Sequence, residues 1–288
     1  MVSLKDIYRK SLHYVSALTV NGESIFADEW DMLIVLDACR FDLFKEVAPN
    51  YDYIERIDNR SSVDTMTPVW MEKTFTENTR SVTQNTYYLC ANPASDEMLS
   101  DSWFETLDEI WRYEWDDQVG NVRAESVTKR AITVGREQQP NKLLVHYNQP
   151  HWPFIPDMET SDGQGIQLSQ FGEHQEHRVW ERLRRGDVSK EKVWEGYREN
   201  LRYVLDSVGV LMENIDADSV IITSDHGNAL GEWGIYGHPA HMPVPAIRQV
   251  PWAETTATDS ETMTDHLEYT GENMTANVKQ KLRDLGYH

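Results

Sequence analysis

The chain has 288 residues, 40 % of them apolar, with 10 Trp and 13 Tyr, which excludes a disordered polymer and leaves room for one large α/β domain. It carries 27 basic against 48 acidic residues, a net charge of −21, which argues against nucleic acid and anionic membrane surfaces as partners. No apolar run approaches the roughly 20 residues of a membrane-spanning helix.

In chain order, Met1 to Ala17 reads as an amphipathic stretch with Lys5, Arg9 and Lys10 and without the apolar core of a signal peptide. A soluble, cytoplasmic protein is expected. Asp31-Met-Leu-Ile-Val-Leu-Asp37 is a continuous apolar run ending in a carboxylate, the pattern of a strand buried on both faces. Thr86 to Ala91 is a weaker run of the same kind. Ala124 to Arg136 has a helical pattern, and Lys142 to Tyr147 is again a buried strand. Asp157 to Arg185, polar and Gly-containing, reads as a loop or lid insertion. From Lys190 to Ile215, Tyr197, Leu201, Val204, Val208, Leu211 and Ile215 form one apolar helix face. Ser219 to Asp225 is the third strong strand. After Pro251, Glu254 to Glu261 is expected as a polar loop leading to a last helix, Asn273 to Leu285. The two cysteines, Cys39 and Cys90, end apolar runs and offer no disulfide framework, which suits a reducing interior.

Strands alternating with helices predict one α/β domain across the chain, with a mostly parallel central sheet and helices on both faces. Ligands of such sheets gather at the carboxyl ends of the strands. Those ends here carry Asp37, the run His146 to His151, and Asp225-His226. An Asp beside a His at a strand end can offer one oxygen and one nitrogen to the same cation.

Asp225-His226-Gly227, followed by Gly231-Glu232, Gly234 and Gly237-His238, resembles the signature of the sulfatase branch of the alkaline phosphatase superfamily. Val35-Leu-Asp37-Ala-Cys-Arg-Phe-Asp42 resembles that family's opening strand, and Pro150-His151-Trp-Pro-Phe154, after His146-Tyr147, its central histidine motif. The resemblance implies an alkaline phosphatase-like three-layer sandwich and a metal-dependent hydrolase of phosphate or sulfate esters, of a haloarchaeal type. It also implies a Ser, Thr or modified Cys nucleophile at the start of a helix. Here Pro68 fits the first helical position and Thr67 the N-cap, so Thr67 is the expected nucleophile as well as the cap. Thr65 is held in reserve, with Ser61 and Ser62 behind it. The sulfatase pattern Cys/Ser-x-Pro-x-Arg is absent, which argues against formylglycine chemistry and weakens sulfate as the reacting group.

The resemblance makes Asp37, Thr67, Asp225 and His226 the metal ligands. One imidazole among oxygens favours manganese or zinc over calcium. Gln149 stands where a second carboxylate would be needed, so one metal is expected, with a second open through His238. In single-metal relatives, histidines like His151 and His238 bind the ester oxygens or protonate the leaving group. Arg40 either neutralises substrate charge or pairs with Asp42. His146 reads as a structural strand-end residue, and His174, His177 and His241 as exposed loop residues. The expected substrate is a small anionic or glycan-linked ester. Two alternatives stand beside hydrolysis: phospho-group transfer in glycan or envelope assembly, and a non-catalytic binding module on the same fold.

Acidic residues are dispersed, and arginine (17) outnumbers lysine (10). Such a surface suits concentrated salt, where screening removes self-repulsion. The melting temperature is therefore expected to rise between about 0.1 M and about 3 M KCl; greatest stability at low salt would exclude a halophilic origin.

Overall fold

The five residues of β1 (Met32–Leu36) are all apolar and all buried. A strand covered on both faces has no need to alternate, and it can only be the middle of a sheet. The computed structural model describes residues 8, 11–12, 22–161, 165–170 and 179–263. After β1 come α1 (Phe41–Val47), β2 (Arg56–Ser61), α2 (Thr67–Thr74), β3 (Thr86–Cys90), β4 (Thr106–Glu109) and α3 (Ala124–Gln138). β5 (Lys142–Tyr147), α4 (Lys190–Met212), β6 (Ala217–Thr223) and β7 (Gln249–Ala257) complete the frame.

One seven-stranded sheet takes the order β2-β7-β6-β1-β5-β3-β4. The five strands from β6 to β4 run parallel, while β7 is antiparallel to both its neighbours. Ile34 of β1 lies beside Val145 of β5 and Ile222 of β6. Alternate residues of each strand enter different cores. Ile34, Leu36, Val145 and Ile222 pack with Leu43 and Phe44 of α1, Val127 and Ala131 of α3, and Val204 and Val208 of α4. On the other face Leu33, Val35, Leu144 and Tyr88 pack with Trp70 and Met71 of α2. The chain is thus a mixed α/β fold, with helices on both faces of a mostly parallel sheet.

The expected helices and buried strands agree with α3, α4, β1, β3, β5 and β6 to within a few residues. Ser189 caps α4 by accepting the Lys192 amide at 3.2 Å. The expected polar loop after Pro251 is corrected: residues to Ala257 form β7, with Thr255 buried and Thr256 exposed. Its threonines look loop-like by polarity, yet β-branched side chains suit a pleated, half-buried surface. β2 (Arg-Ile-Asp-Asn-Arg-Ser) has no apolar alternation to announce it. It is held as an edge by pairing with β7, and the Arg60 guanidinium lies 3.6 Å over the Trp252 ring.

Most of residues 1–17 and the expected helix Asn273 to Leu285 lie outside the described residues. Within the expected lid, residues 162–164 and 171–178 also lie outside them. The rest of that segment contains a single turn, Leu168–Gln170, and a short helix, Val179–Arg185. Among the described residues no helix is long and apolar enough to cross a membrane. Cys39 and Cys90 are buried, unpaired, and in different cores.

Candidate active site

Asp37 directly follows β1, and Asp225 follows the neighbouring parallel strand β6 by two residues, so the topology brings both carboxylates to one sheet edge. The Asp37 amide donates to Tyr147 O at 3.0 Å, and its Oδ2 accepts from Asn92 Nδ2 at 2.7 Å. Ala38 takes a left-handed φ of 60°, unusual for a residue with a side chain. That turn points its amide at Asp225 Oδ1, 2.8 Å away, where the His226 amide also donates at 2.8 Å. Gly227 is dictated by close approach: a Cβ there would lie 2.4 Å from Ala246 O.

Thr67 is the first helical residue of α2, and the N-cap is Met66, whose side chain makes no capping bond. The expected capping role is therefore corrected. The Thr67 hydroxyl is turned instead into the strand ends, 2.8 Å from Asp225 Oδ2 and 3.1 Å from His226 Nε2. His226 Nδ1 lies 3.0 Å from Gly227 O. A carbonyl can only accept, so Nδ1 carries the proton and Nε2 presents a bare lone pair. One hydroxyl proton thus faces two acceptors.

The carboxylates make the same point. Burial and the nearness of Asp225 push the Asp37 carboxyl well above its usual range. Burial opposes ionisation of Asp225 too, while hydrogen bonds from the Ala38 amide and the Thr67 hydroxyl favour its charged form. Asp37 Oδ1 is buried without a hydrogen-bond partner. Ligand atoms of Asp37, Asp225 and His226 lie within 4.8 Å of one another. Two close carboxylates, a bare imidazole nitrogen and an unpartnered oxygen fit a divalent cation.

His151 and His238 stand at the half-buried mouth with their Nε2 atoms 2.9 Å apart. The His238 ring stacks on His226 at 4.5 Å. The His151 amide bonds Asp37 O at 3.1 Å, and Asn200 Nδ2 holds the same turn through Pro150 O and His151 O at 3.1 and 3.0 Å. Arg40 takes the second of its two expected roles: it chelates Asp42 at 2.8 and 2.6 Å and reaches Glu232 and Asn228 O, each at 3.0 Å. Gln149 is buried, its amide donating to Val122 O at 2.8 Å. Ser61 ends β2, Ser62 Oγ donates to Asp225 O, and Thr65 Oγ1 donates to Pro239 O at 2.6 Å. His241 is corrected from a free loop residue: it is half exposed, but its Nδ1 lies 2.7 Å from Asp64 Oδ2. His174 and His177 lie outside the described residues.

Asn92, Asn200 and Asp64 had no expected role. Asn92 was within reach of the strand-end rule, following β3 by two residues. Asn200, a polar residue inside the apolar stripe of α4, was signalled by its position. Asp64 bore no signal beyond its nearness to Thr67.

A hydroxyl at a helix start stands here among metal-competent side chains on the carboxyl edge of a mostly parallel sheet. The sulfatase family profile matches residues 59–274, and the chain belongs to the sulfatase family. Asp37 precedes the matched span. No curated protein sequence matches significantly. Among solved structures, the soluble domain of lipooligosaccharide phosphoethanolamine transferase A from Neisseria meningitidis superposes with a TM-score of 0.51 at 14 % identity, covering 83 % of this chain and 80 % of that one. The periplasmic domain of phosphoethanolamine transferase EptC from Campylobacter jejuni gives 0.53 at 16 % identity, covering 78 % of each chain. The integral membrane form of the Neisseria transferase gives 0.53 at 11 % identity, covering 96 % of this chain and 58 % of that one. At such identities the likeness is one of fold.

His146 sits beneath this site, fully buried, with Nδ1 2.8 Å from Tyr88 OH. Burial pushes its imidazole down from 6.5 to about 4. The unfolded chain therefore binds a proton here at a higher pH than the folded one, so stability falls as pH drops through that window and levels off below it. Urea unfolding is expected to show a loss on the order of 3 kcal/mol from this group, and His146→Leu to show a correspondingly shallower pH dependence. Equal pH slopes in both proteins would show that His146 takes up its proton at the same pH folded and unfolded.

Proposed function

We propose that the chain is a metal-dependent hydrolase of phosphate or sulfate esters that works through Thr67. The observation that carries this reading is the placement of the Thr67 hydroxyl at the start of α2, in contact with both Asp225 and His226. A divalent cation held by Asp37, Thr67, Asp225 and His226, manganese or zinc on this donor set, would stabilise the ionised Thr67 oxygen and the charge of the ester. The hydroxyl proton leaves towards Asp225 Oδ2, its nearest acceptor. Thr67 Oγ1 attacks phosphorus (or sulfur) in line, and the bond to the leaving oxygen breaks as the new one forms. The start of α2 would favour a bound anion, with Pro68 offering no amide. The leaving oxygen takes the proton held between His151 and His238. Water then attacks the covalent intermediate and gives a proton to the His151–His238 pair, the bond to Thr67 Oγ1 breaks, and the proton taken up by Asp225 returns to the Thr67 oxygen.

A second reading replaces water with an acceptor hydroxyl, making the chain a phospho-group transferase. The likeness in fold to two phosphoethanolamine transferases supports it, as does the absence of Cys/Ser-x-Pro-x-Arg. The assembled ligand set speaks against a mere binding module. Buried, unpaired Cys39 and Cys90 support a reducing, cytoplasmic location.

The purified protein, in about 2 M KCl with manganese, is to be assayed on a chromogenic phosphate monoester, a phosphate diester and a sulfate ester. Turnover of one ester is expected, abolished by EDTA and lowered at least about 1000-fold by Thr67→Ala or Asp225→Ala without loss of folding. Full activity in Thr67→Ala would overturn the mechanism. Bound metal without turnover would favour the transferase, and neither metal nor turnover the binding module.

A further inference from the structure

Two loops carry the proposed reacting groups: residues 62–66 lead into Thr67, and residues 239–244 follow His238. The fold stitches these loops together through Asp64. Its buried carboxylate accepts from the amides of Thr65 and His241 at 2.7 and 2.9 Å on Oδ1. On Oδ2 it meets His241 Nδ1 at 2.7 Å and Lys73 Nζ at 2.6 Å. Thr65 continues the seam, donating to Pro239 O at 2.6 Å and accepting the Met242 amide at 3.1 Å. Arg248 closes it, donating to Ser62 O at 2.7 Å and to Met242 O at 3.0 Å.

No step of the reaction uses Asp64, yet its carboxyl is held far below the usual range: Lys73, His241 and the Thr65 amide outweigh its burial. His241 also adopts a left-handed φ of 58°, a conformation kept only where surrounding contacts over-determine it. The bonds from its amide and ring to Asp64 are those contacts.

We propose that Asp64 is a positioning residue: through His241 it fixes the loop that carries His238 against the start of α2, and so sets the span between nucleophile and proton donor. This rests on the reading of Thr67 and His238 given above. Thr67 lies three positions from Asp64 and His238 three from His241, so loss of this contact shifts one against the other. A misplacement of about 1 Å costs on the order of 100-fold in rate. His238 serves the leaving oxygen, so the loss falls hardest on alkyl esters, whose alkoxide needs the proton. Nitrophenyl esters, which leave as stable anions, are affected least.

Asp64→Asn sets an amide N–H against the His241 ring and Lys73, donor against donor. His241→Ala removes the ring. His241→Asn keeps a side-chain N–H for Asp64 and tolerates the left-handed backbone. Asp64→Asn and His241→Ala are expected to lower kcat for an alkyl phosphate roughly 10- to 100-fold, and for nitrophenyl phosphate less than about threefold, with KM little changed. His241→Asn should restore alkyl ester turnover. In parallel, imidazole nitrogen NMR signals of His238 should move in Asp64→Asn and His241→Ala and return in His241→Asn. Equal losses on both esters, or unmoved His238 signals, would overturn the clamp. If the wild-type protein turns over no ester, the functional reading falls, and the NMR comparison alone decides the clamp: moved signals support it, unmoved signals overturn it.

Discussion

Two carboxylates buried within one site are the constraint on which the rest of this structure turns. Asp37 and Asp225 end adjacent parallel strands, and both are almost wholly withdrawn from water. Like charges in a poorly solvated interior repel strongly, and each also loses hydration. The fold meets this with oriented dipoles: the Ala38 and His226 amides on one carboxylate and the Asn92 side chain on the other. One Asp37 oxygen is still left over. A divalent cation is the simplest group that satisfies it together with the bare His226 nitrogen and the Thr67 hydroxyl.

The surrounding architecture reads as a set of devices that keep this cluster rigid. Ala38 accepts a left-handed backbone so that its amide can reach Asp225. Gly227 has no side chain because the Ala246 carbonyl occupies the space. Asn200, reaching across from α4, pins the turn that carries His151 through three carbonyls. Arg40 is bound to Asp42 and Glu232 and so ties the segment after β1 to the loop before His238. Apart from the Arg40–Asp42 pair, each of these contacts joins separate elements of the fold. The site is therefore as rigid as the sheet edge it stands on.

Membership of the sulfatase family leaves the reacting group open, and the proposed nucleophile bears on it. Thr67 occupies the helix start with no Cys/Ser-x-Pro-x-Arg pattern around it. A threonine can attack once its proton is removed, and the nearest acceptor is already in place. The neighbouring histidines face each other Nε2 to Nε2 at 2.9 Å, an arrangement that suits proton delivery to an alcohol leaving group. Hydrolysis and transfer then differ only in which hydroxyl enters second, a choice made outside this cluster of side chains.

Much of the frame was legible in the residues. The apolar runs of β1, β5 and β6 and the stripe of α4 announce themselves, because burial on both faces or along one helix face leaves a periodic mark. The strand ends located Asp37, Asp225 and His226, since a parallel sheet presents its ligands there. Edge strand β2 and its neighbour β7 carried no such mark; they exist through pairing with partners distant in the chain. The Thr67 hydroxyl reads locally as a cap, and only the carboxylate and imidazole brought to it by β6 turn it elsewhere. Asp64 and the pairings of Arg40 with Glu232 and of His241 with Asp64 were beyond sequence reasoning for the same reason. Local pattern determines which segments are buried and which side chains are able to react. Which of those side chains meet is decided by long-range packing, whose hydrogen bonds join residues more than a hundred positions apart.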